Sequence, residues 1–225
     1  MSTDESPRVQ VMENGPLLVF GDVPLVSREI ILSEDDDKLS WTTGVALEQP
    51  PKSPYALCRC GASSNKPFCD GTHTTIDFDG TESAPTDTFA DRAQRYEGPG
   101  MTLLDDKVSC IHAGFCGAGG TYVWSLMEKT DDAGTRALAM AMTERCPSGR
   151  LLYEAPGAGA PVEPSMPMQV VLIPDGPIWL TGGISVERSD GEPFEKRTRT
   201  TLCRCGASGT KPLCDGAHAD VGFEG

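Results

Sequence analysis

Two short stretches of this chain concentrate residue types that bind soft metals. Residues 58–73 read CRCGASSNKPFCDGTH, and residues 203–218 read CRCGASGTKPLCDGAH. Each stretch places three cysteines and one histidine at the same spacing within 16 residues. Thiolate and imidazole groups are common ligands of zinc and of iron–sulfur clusters. The candidate ligands are Cys58, Cys60, Cys69 and His73 in the first copy, and Cys203, Cys205, Cys214 and His218 in the second.

The spacing of these ligands is compatible with two kinds of metal centre. Three cysteines with one histidine fit a tetrahedral structural zinc site, and they fit a [2Fe-2S] cluster equally well. A histidine ligand would give a cluster two properties. It replaces a charged thiolate by a neutral group, which raises the reduction potential, and it can be protonated, which breaks its bond to the metal.

A third cysteine set lies between the two copies. Cys110, His112 and Cys116 fall within seven residues, and Cys146 begins a Cys-Pro-Ser-Gly run. Bacterial ferredoxins space their ligands as C-x2-C-x2-C with a distant Cys-Pro, and here Ala113 stands where the second cysteine would be. Three cysteines suit a [3Fe-4S] cluster. His112 could instead complete a [4Fe-4S] or zinc site, or the cysteines could be buried without metal.

Composition and charge narrow the classes of function. Nine cysteines, an odd number, argue against a disulfide framework. The net charge of -14 would repel nucleic acids and anionic membranes, but it is compatible with a basic redox partner. The sequence has no run of 18 apolar residues, and its start, MSTDESPRVQ, lacks the features of a signal peptide. We therefore expect a cytoplasmic protein with no membrane or nucleic-acid partner.

The duplication extends beyond the ligand stretches. Residues 57–80 and 202–225 agree at 15 of 24 positions. Upstream, Asn14-Gly15-Pro16 aligns with Asp175-Gly176-Pro177, and the apolar segments around each turn predict a β-hairpin in each copy. The copies are offset by 161 residues at these turns and by 145 at the cysteines. The first copy therefore has about 16 extra residues, near positions 34–49.

The middle of the chain has a different character from the two copies. Polar segments with proline and glycine at 81–100 and 154–167 indicate linkers around an insert, in which MTLLDDKVSC predicts a strand and turn. Residues 121–129 and 135–146 have helical composition. We predict an α+β fold that is mostly β, with the repeats packed as an intramolecular pseudo-dimer in a monomeric protein. The predicted units are the first repeat at 1–80, a linker and insert at 81–155, and a linker and second repeat at 156–225.

Both ligand stretches resemble the CDGSH iron–sulfur family, also called NEET proteins. The family pattern C-x-C-x2-S-x3-P-x-C-D-G-x-H is present twice, and the only departures are Thr72 and Ala217 in place of the serine before the histidine. The resemblance implies one [2Fe-2S] cluster in each motif, with the histidine bound to the outer iron. It also implies electron transfer and cluster transfer as possible activities.

Residues 96–153 are similar to a divergent single-cluster ferredoxin family, on the basis of the C-I-H run and the closing C-P-S-G. This resemblance implies a cluster held by Cys110, Cys116 and Cys146. The sequence thus predicts an electron-transfer protein with two [2Fe-2S] clusters and one [3Fe-4S] or [4Fe-4S] cluster, working with a redox partner protein.

Three other functions remain open at the sequence level. The protein could carry clusters to an apo-protein acceptor, it could sense redox state or pH, or it could be a structural zinc module. An enzyme is not expected, because the sequence has neither a glycine-rich nucleotide loop after a strand nor a nucleophile elbow.

Overall fold

Short strands dominate the structure, a computed structural model that describes residues 6–51 and 53–225. The strands of the first repeat are β1 (Arg8–Val11), β2 (Leu17–Phe20), β3 (Leu25–Ser27), β4 (Ile30–Leu32), β5 (Lys38–Trp41), β6 (Val45–Ala46) and β7 (Tyr55–Leu57). The insert contains β8 (Gln94–Glu97), β9 (Thr102–Asp105), β10 (Gly117–Ala118), β11 (Thr121–Tyr122) and β12 (Leu151–Glu154). The second repeat contains β13 (Gln169–Leu172), β14 (Ile178–Thr181), β15 (Ser185–Glu187) and β16 (Arg199–Leu202).

Helices are few and short. They are α1 (Phe89–Arg92), α2 (Val123–Leu126), α3 (Ala133–Glu144) and α4 (Ala217–Asp220), with 3-10 turns at Thr72–Thr74, Lys107–Ser109 and Met127–Lys129. The predicted α+β class with a mostly β structure is therefore confirmed. None of the helices formed by residues 6–51 and 53–225 has the length and apolar character that crossing a membrane requires.

Both predicted hairpins are present. β1 pairs antiparallel with β2, and β13 pairs antiparallel with β14. Asn14 and Asp175 occupy the connecting turns with φ angles of 46° and 51°. Asparagine and aspartate tolerate this left-handed conformation better than other non-glycine residues, which is why the turn sequences were informative.

Each repeat contributes to the sheet of the other, the first through β3 and β6 and the second through β15. One sheet has the order β15-β1-β2-β7, and a second has the order β16-β14-β13-β3-β6. β15 lies parallel to β1 with Val186 opposite Val9, and β3 lies parallel to β13 with Val26 opposite Val171. Each sheet thus contains a strand from the other repeat.

One apolar core lies between these two sheets. Leu17 and Leu57 of the first repeat share it with Ile178 and Leu202 of the second, and all four side chains are fully buried. Complete burial of such a side chain contributes roughly 1.5–3 kcal/mol to folding. The sheet edges that carry the two ligand stretches are therefore held in one packed body.

The insert forms a small sheet covered by helices. Its strand order is β12-β9-β8, and α2 and α3 pack against it, with Leu103 of β9 and Met142 of α3 buried in one core. Asp132 caps α3, since its carboxylate accepts the Thr135 N–H at 2.8 Å. The predicted helix at 135–146 is confirmed. Residues 81–100 are more structured than the linker we predicted, because they contain α1 and β8.

The extra residues of the first repeat reach the insert. β4 and β5 form an antiparallel hairpin that ends at Trp41. The Trp41 ring lies 5.1 Å from the Phe115 ring and 4.8 Å from the Trp179 ring, measured between centroids. The Trp41 indole N–H donates to the Arg145 carbonyl at 3.3 Å. This hairpin therefore attaches the insert to the second sheet.

Candidate metal centres

The two ligand loops start where β7 and β16 end. In the first loop the Cys58 N–H donates to the Pro67 carbonyl at 2.8 Å, and in the second the Cys203 N–H donates to the Pro212 carbonyl at 2.8 Å. Each bond joins the first cysteine of the loop to the proline that lies two residues before the third cysteine. The two ends of the loop therefore lie close together. The sheets thereby place the first ligand of each set in the buried interior.

The candidate ligands of the first loop fall into two pairs. The Sγ atoms of Cys58 and Cys60 lie 3.7 Å apart. The Sγ atom of Cys69 lies 3.4 Å from Nδ1 of His73. The imidazole therefore presents Nδ1 to the ligand set and turns Nε2 away from it.

The second loop repeats this arrangement. The Sγ atoms of Cys203 and Cys205 lie 3.7 Å apart, and the Sγ atom of Cys214 lies 3.5 Å from Nδ1 of His218. The hydrogen bond with Cys203 lowers the pKa of Cys205 to about 7, which favours a thiolate. Burial raises the pKa of Cys214 to about 12, so binding a metal there would release a proton.

Two pairs of ligands match a two-iron cluster. Each iron of a [2Fe-2S] cluster takes two protein ligands. Metal–sulfur bonds of about 2.3 Å at tetrahedral angles separate two sulfurs by about 3.8 Å, close to the spacing of both cysteine pairs. The spacing within these pairs therefore fits a two-iron cluster.

A one-turn helix follows the last cysteine of each loop. In the first loop the cap position belongs to Gly71, whose φ is 90°. Asp70 precedes it, and its carboxylate accepts the N–H groups of Thr72 at 3.0 Å and Ser64 at 2.8 Å. The Gly71 N–H donates to the Cys69 sulfur at 3.4 Å and so stabilises negative charge there. Asp215, Gly216 and Ala217 make the corresponding contacts in the second loop.

The three remaining cysteines meet at one cavity in the insert. Cys110, Cys116 and Cys146 all line a cavity of about 160 Å³, and His112 lines it as well. His112 has a φ angle of 58°, a left-handed conformation that is uncommon for residues other than glycine. The structure therefore brings the predicted third ligand set together.

Burial and a neighbouring cation act in opposite directions on the thiols of this cavity. Burial raises the pKa of Cys116, and the neighbouring Cys146 thiolate adds to that rise. Arg150 offsets this effect, since it also lines the cavity and is held there by Asp105 at 2.6 Å. Hydrogen bonds to Asp105 raise the pKa of Arg150, and its contact with Cys110 adds to the rise. A permanent cation thus lies beside a set of ligands that must be deprotonated to bind metal.

Comparison with protein families agrees with this geometry. The family described as iron-binding zinc finger CDGSH type matches residues 14–74 and 175–219, and the family described as divergent 4Fe-4S mono-cluster matches residues 96–156. The chain carries two CDGSH regions that flank a divergent 4Fe-4S region. It is therefore an iron–sulfur protein. No match was found among curated proteins or among solved structures.

The two CDGSH loops touch each other. Cys60 and Cys205 form an antiparallel backbone bridge between the loops. A Cβ added at Gly61 would lie 2.4 Å from the Cys205 carbonyl oxygen, and one added at Gly206 would lie 2.5 Å from the Cys60 carbonyl oxygen. Glycine is required at both positions because the backbones approach too closely for any side chain.

A buried arginine anchors each CDGSH loop to its hairpin. Arg59 is 1% exposed, and its guanidinium donates to the carbonyls of Met12, Gly15 and Gly80 at 2.8, 2.9 and 3.1 Å. Burial lowers the pKa of Arg59. Arg204, which is 3% exposed, donates in the same way to Ile173, Gly176 and Gly225.

Sequence analysis did not identify this role of the two arginines. The available signal was the arginine between the first two cysteines of both copies, since a long charged side chain repeated at such a position is seldom a chance surface residue. Each arginine also stacks on an aromatic ring, with Arg59 lying 5.3 Å from Phe78 and Arg204 lying 5.1 Å from Phe223.

Proposed function

We propose that this protein transfers electrons between redox partners by means of two [2Fe-2S] clusters and one ferredoxin-type cluster. Each CDGSH loop would bind its cluster through three cysteines and one histidine. Cys110, Cys116 and Cys146 would bind a [3Fe-4S] cluster, or a [4Fe-4S] cluster if a further ligand such as His112 takes part. When bound, such clusters supply one-electron redox chemistry.

The backbone bridge between Cys60 and Cys205 is the observation that carries this proposal. It joins the two CDGSH loops directly, so the two ligand sets keep a fixed separation. A fixed short separation favours electron passage between centres, whereas a cluster carrier needs each ligand set to open. The tight approach at Gly61 and Gly206 opposes such opening.

The exchanged strands support the further proposal of an intramolecular pseudo-dimer. β3 and β15 each complete the sheet of the other repeat, and one core is shared between the sheets. A chain that satisfies this arrangement internally has no need of a second copy. We therefore propose a monomeric protein. From the sequence we also propose that it has no enzymatic activity of its own and is located in the cytoplasm.

Surface charge supports a basic redox partner. The net charge is -14, and complementary charge accelerates the encounter of electron-transfer proteins.

The chain's own contribution at the ligand sets is to orient the imidazoles. Because Nδ1 of His73 and of His218 faces a cysteine, the proton of each neutral imidazole would reside on Nε2.

A cluster carrier is the second candidate function, and one observation favours it at the first loop. His73 lines an open groove of about 600 Å³ together with Glu13, Asp77 and Asp79. An apo-protein acceptor with basic residues could approach this histidine directly. Protonation of His73 would then release one of the four ligands.

Metal analysis and kinetics of one preparation separate these functions. Anaerobically purified protein should be red-brown and contain about seven irons per chain, or about eight with a [4Fe-4S] cluster. Stopped-flow reduction by a reduced flavodoxin-type donor should be faster by orders of magnitude than cluster appearance on an apo-ferredoxin. Faster cluster transfer would favour the carrier, and colourless protein with stoichiometric zinc would overturn both functions.

A further inference from the structure

The outer faces of the two CDGSH loops have different neighbours. Gly71 and Gly216 have nearly equal φ angles of 90° and 94°. With respect to the residues that the structure describes, a Cβ added at Gly71 would meet no heavy atom within 4 Å. A Cβ added at Gly216 would lie 2.8 Å from Cδ2 of His112 and 3.2 Å from the carbonyl oxygen of Ile111. The insert therefore covers the second loop at this point.

Two further ligands of the second loop also face the insert. Cys214 is 2% exposed and lines a cavity of about 50 Å³ that Ser109 and Ser148 of the insert also line. His218 lines another cavity, of about 270 Å³, together with His112. His112 borders the cavity of the middle ligand set as well, so this one side chain lies between the two sites.

The matching ligands of the first loop face outward. Cys69 is partly exposed, and His73 borders the open groove of about 600 Å³. This groove is lined by the carboxylates of Glu13, Asp77 and Asp79 rather than by the insert. The first CDGSH site is thus open to solvent where the second is covered.

A buried arginine fixes the insert to the second repeat. Arg199 in β16 is 1% exposed, and its guanidinium donates to the insert carbonyls of Thr143 at 3.2 Å, Leu151 at 2.9 Å and Glu144. The equivalent position of the first repeat is Pro54, whose side chain cannot donate a hydrogen bond. The insert is therefore bound specifically to the second repeat.

We propose that the contact between His112 and Gly216 forms the electron passage between the middle site and the second CDGSH site, and that the first CDGSH site is the terminal site that meets an external partner. This inference rests on the proposed function and adds an order to its three centres. The bridge between Cys60 and Cys205 forms the second passage.

Each passage carries one electron and changes no bond. An electron that crosses at His112 would leave the centre held by Cys110, Cys116 and Cys146 oxidised by one electron and the centre of the second loop reduced by one. Its passage across the bridge between Cys60 and Cys205 would re-oxidise the centre of the second loop and reduce that of the first. A one-electron donor protein supplies it, and a basic one-electron acceptor protein removes it at the acidic groove around His73.

A matched pair of variants tests the first passage. Gly216→Ala and Gly71→Ala impose the same backbone strain, because both positions have φ near 90°, but only the change at 216 displaces His112. We expect Gly216→Ala to slow electron equilibration between the middle and CDGSH centres by about tenfold or more after flash reduction. The change at 71 adds the same strain beside a ligand set but meets no atom of the insert, so it should slow this rate by a much smaller factor. Equal rates in the two variants would overturn the proposal.

EPR spectroscopy of the same samples provides a readout independent of electron transfer. In the unmodified protein, the signal of the second CDGSH centre should relax faster than that of the first, because a paramagnetic middle centre lies nearby. Gly216→Ala should reduce this difference, and Gly71→Ala should preserve it. Two CDGSH signals with identical relaxation would contradict the order of centres.

His112→Ala decides the question if Gly216→Ala fails to retain its cluster. This change removes the contact without altering the CDGSH loop, and it should slow equilibration while the iron content stays at about seven per chain. Loss of the middle cluster in His112→Ala would overturn the passage role, since it would make His112 a ligand.

Iron content separates failure of this inference from failure of the proposed function. If the unmodified protein contains about four irons, it has no middle cluster. That result would overturn the inference but leave the two CDGSH clusters in place. Zinc in place of iron would overturn the proposed function itself. Protein with about seven irons but no fast equilibration would overturn the inference alone.

Discussion

The two CDGSH loops have the same interior and different surroundings. In both, the first two cysteine sulfurs lie 3.7 Å apart, and a buried arginine ties the loop to a hairpin turn. Outside the ligand set, the first loop faces an open acidic groove and the second faces the insert. The two copies thus share one arrangement of candidate ligands, while the neighbours of each loop differ.

Replacing one buried cysteine in each loop should have the largest effect, which is a loss of iron. Cys58→Ala and Cys203→Ala should each lose about two irons per chain, because each removes one of four ligands. Only the change at Cys203 should also broaden the EPR signal of the middle centre, since the insert rests on the second loop. Iron analysis and EPR measure both effects. An equally disturbed middle signal in Cys58→Ala would refute the difference between the surroundings.

Removal of the anchoring arginines tests the likeness of the interiors. Arg59→Ala and Arg204→Ala each remove a buried guanidinium together with its three hydrogen bonds to backbone carbonyls, which should lower the free energy of unfolding by about 3 kcal/mol. The two losses should agree within about 1 kcal/mol in urea titrations. Arg95→Ala is the control, because its ion pair with Glu154 is exposed to solvent and should contribute far less to stability. Tolerance of one change but not the other would show unlike interiors.

Replacement of Trp41 tests whether the extra hairpin of the first repeat protects the middle site. Trp41→Ala removes packing on Phe115 and Trp179 and should lower the free energy of unfolding by about 2 kcal/mol. It should also speed loss of the middle cluster in air, while the first CDGSH cluster is unaffected. Leu39→Ala in the same strand is the control, since Leu39 is 41% exposed. Unchanged air stability in Trp41→Ala would mean that the hairpin does not protect the middle site.

The smallest predicted effect concerns a carboxylate that binds the second repeat. Burial alone would raise the pKa of Glu163, but hydrogen bonds from Thr198 and the charge of Arg197 outweigh burial and lower it. Its stabilising contribution is therefore complete above the ordinary glutamate pKa of about 4.3 and is lost as the pH falls through the lowered value.

Glu163→Gln should consequently lower the free energy of unfolding by about 1 kcal/mol at pH 7. The difference from the unmodified protein should shrink as the pH falls below about 4. Thermal unfolding of both proteins across this range measures it, and acid effects on the clusters cancel in the difference. A difference that is independent of pH would exclude the ionised form of Glu163 as the source.

Local signals explain which parts of this molecule the sequence predicts. Asn14-Gly15 and Asp175-Gly176 require positive φ within a few residues, so the hairpins follow from sequence. The cysteine spacing likewise encodes the ligand sets. Both kinds of signal act over short segments of chain, where residue type restricts conformation directly.

Non-local contacts explain the rest. β1 and β15 pair in parallel across more than half of the chain, and their apolar residues are compatible with many partners. Gly71 and Gly216 occupy the same Cys-Asp-Gly sequence, so residue type cannot show that His112 lies against only one of them. The burial of Arg59 depends on the carbonyls of a hairpin more than 40 residues away.

The exchange of strands between the repeats also sets the order in which the protein can mature. Val9 pairs with Val186, so the sheet beside the first CDGSH loop remains incomplete until Val186 has left the ribosome. At about 5–20 residues per second, that delay lasts on the order of ten seconds or more. During this time β1 is an open edge that can pair with other nascent chains. Incorporation of iron and sulfide into the first loop would therefore be a late event of biogenesis, although this loop is synthesised first.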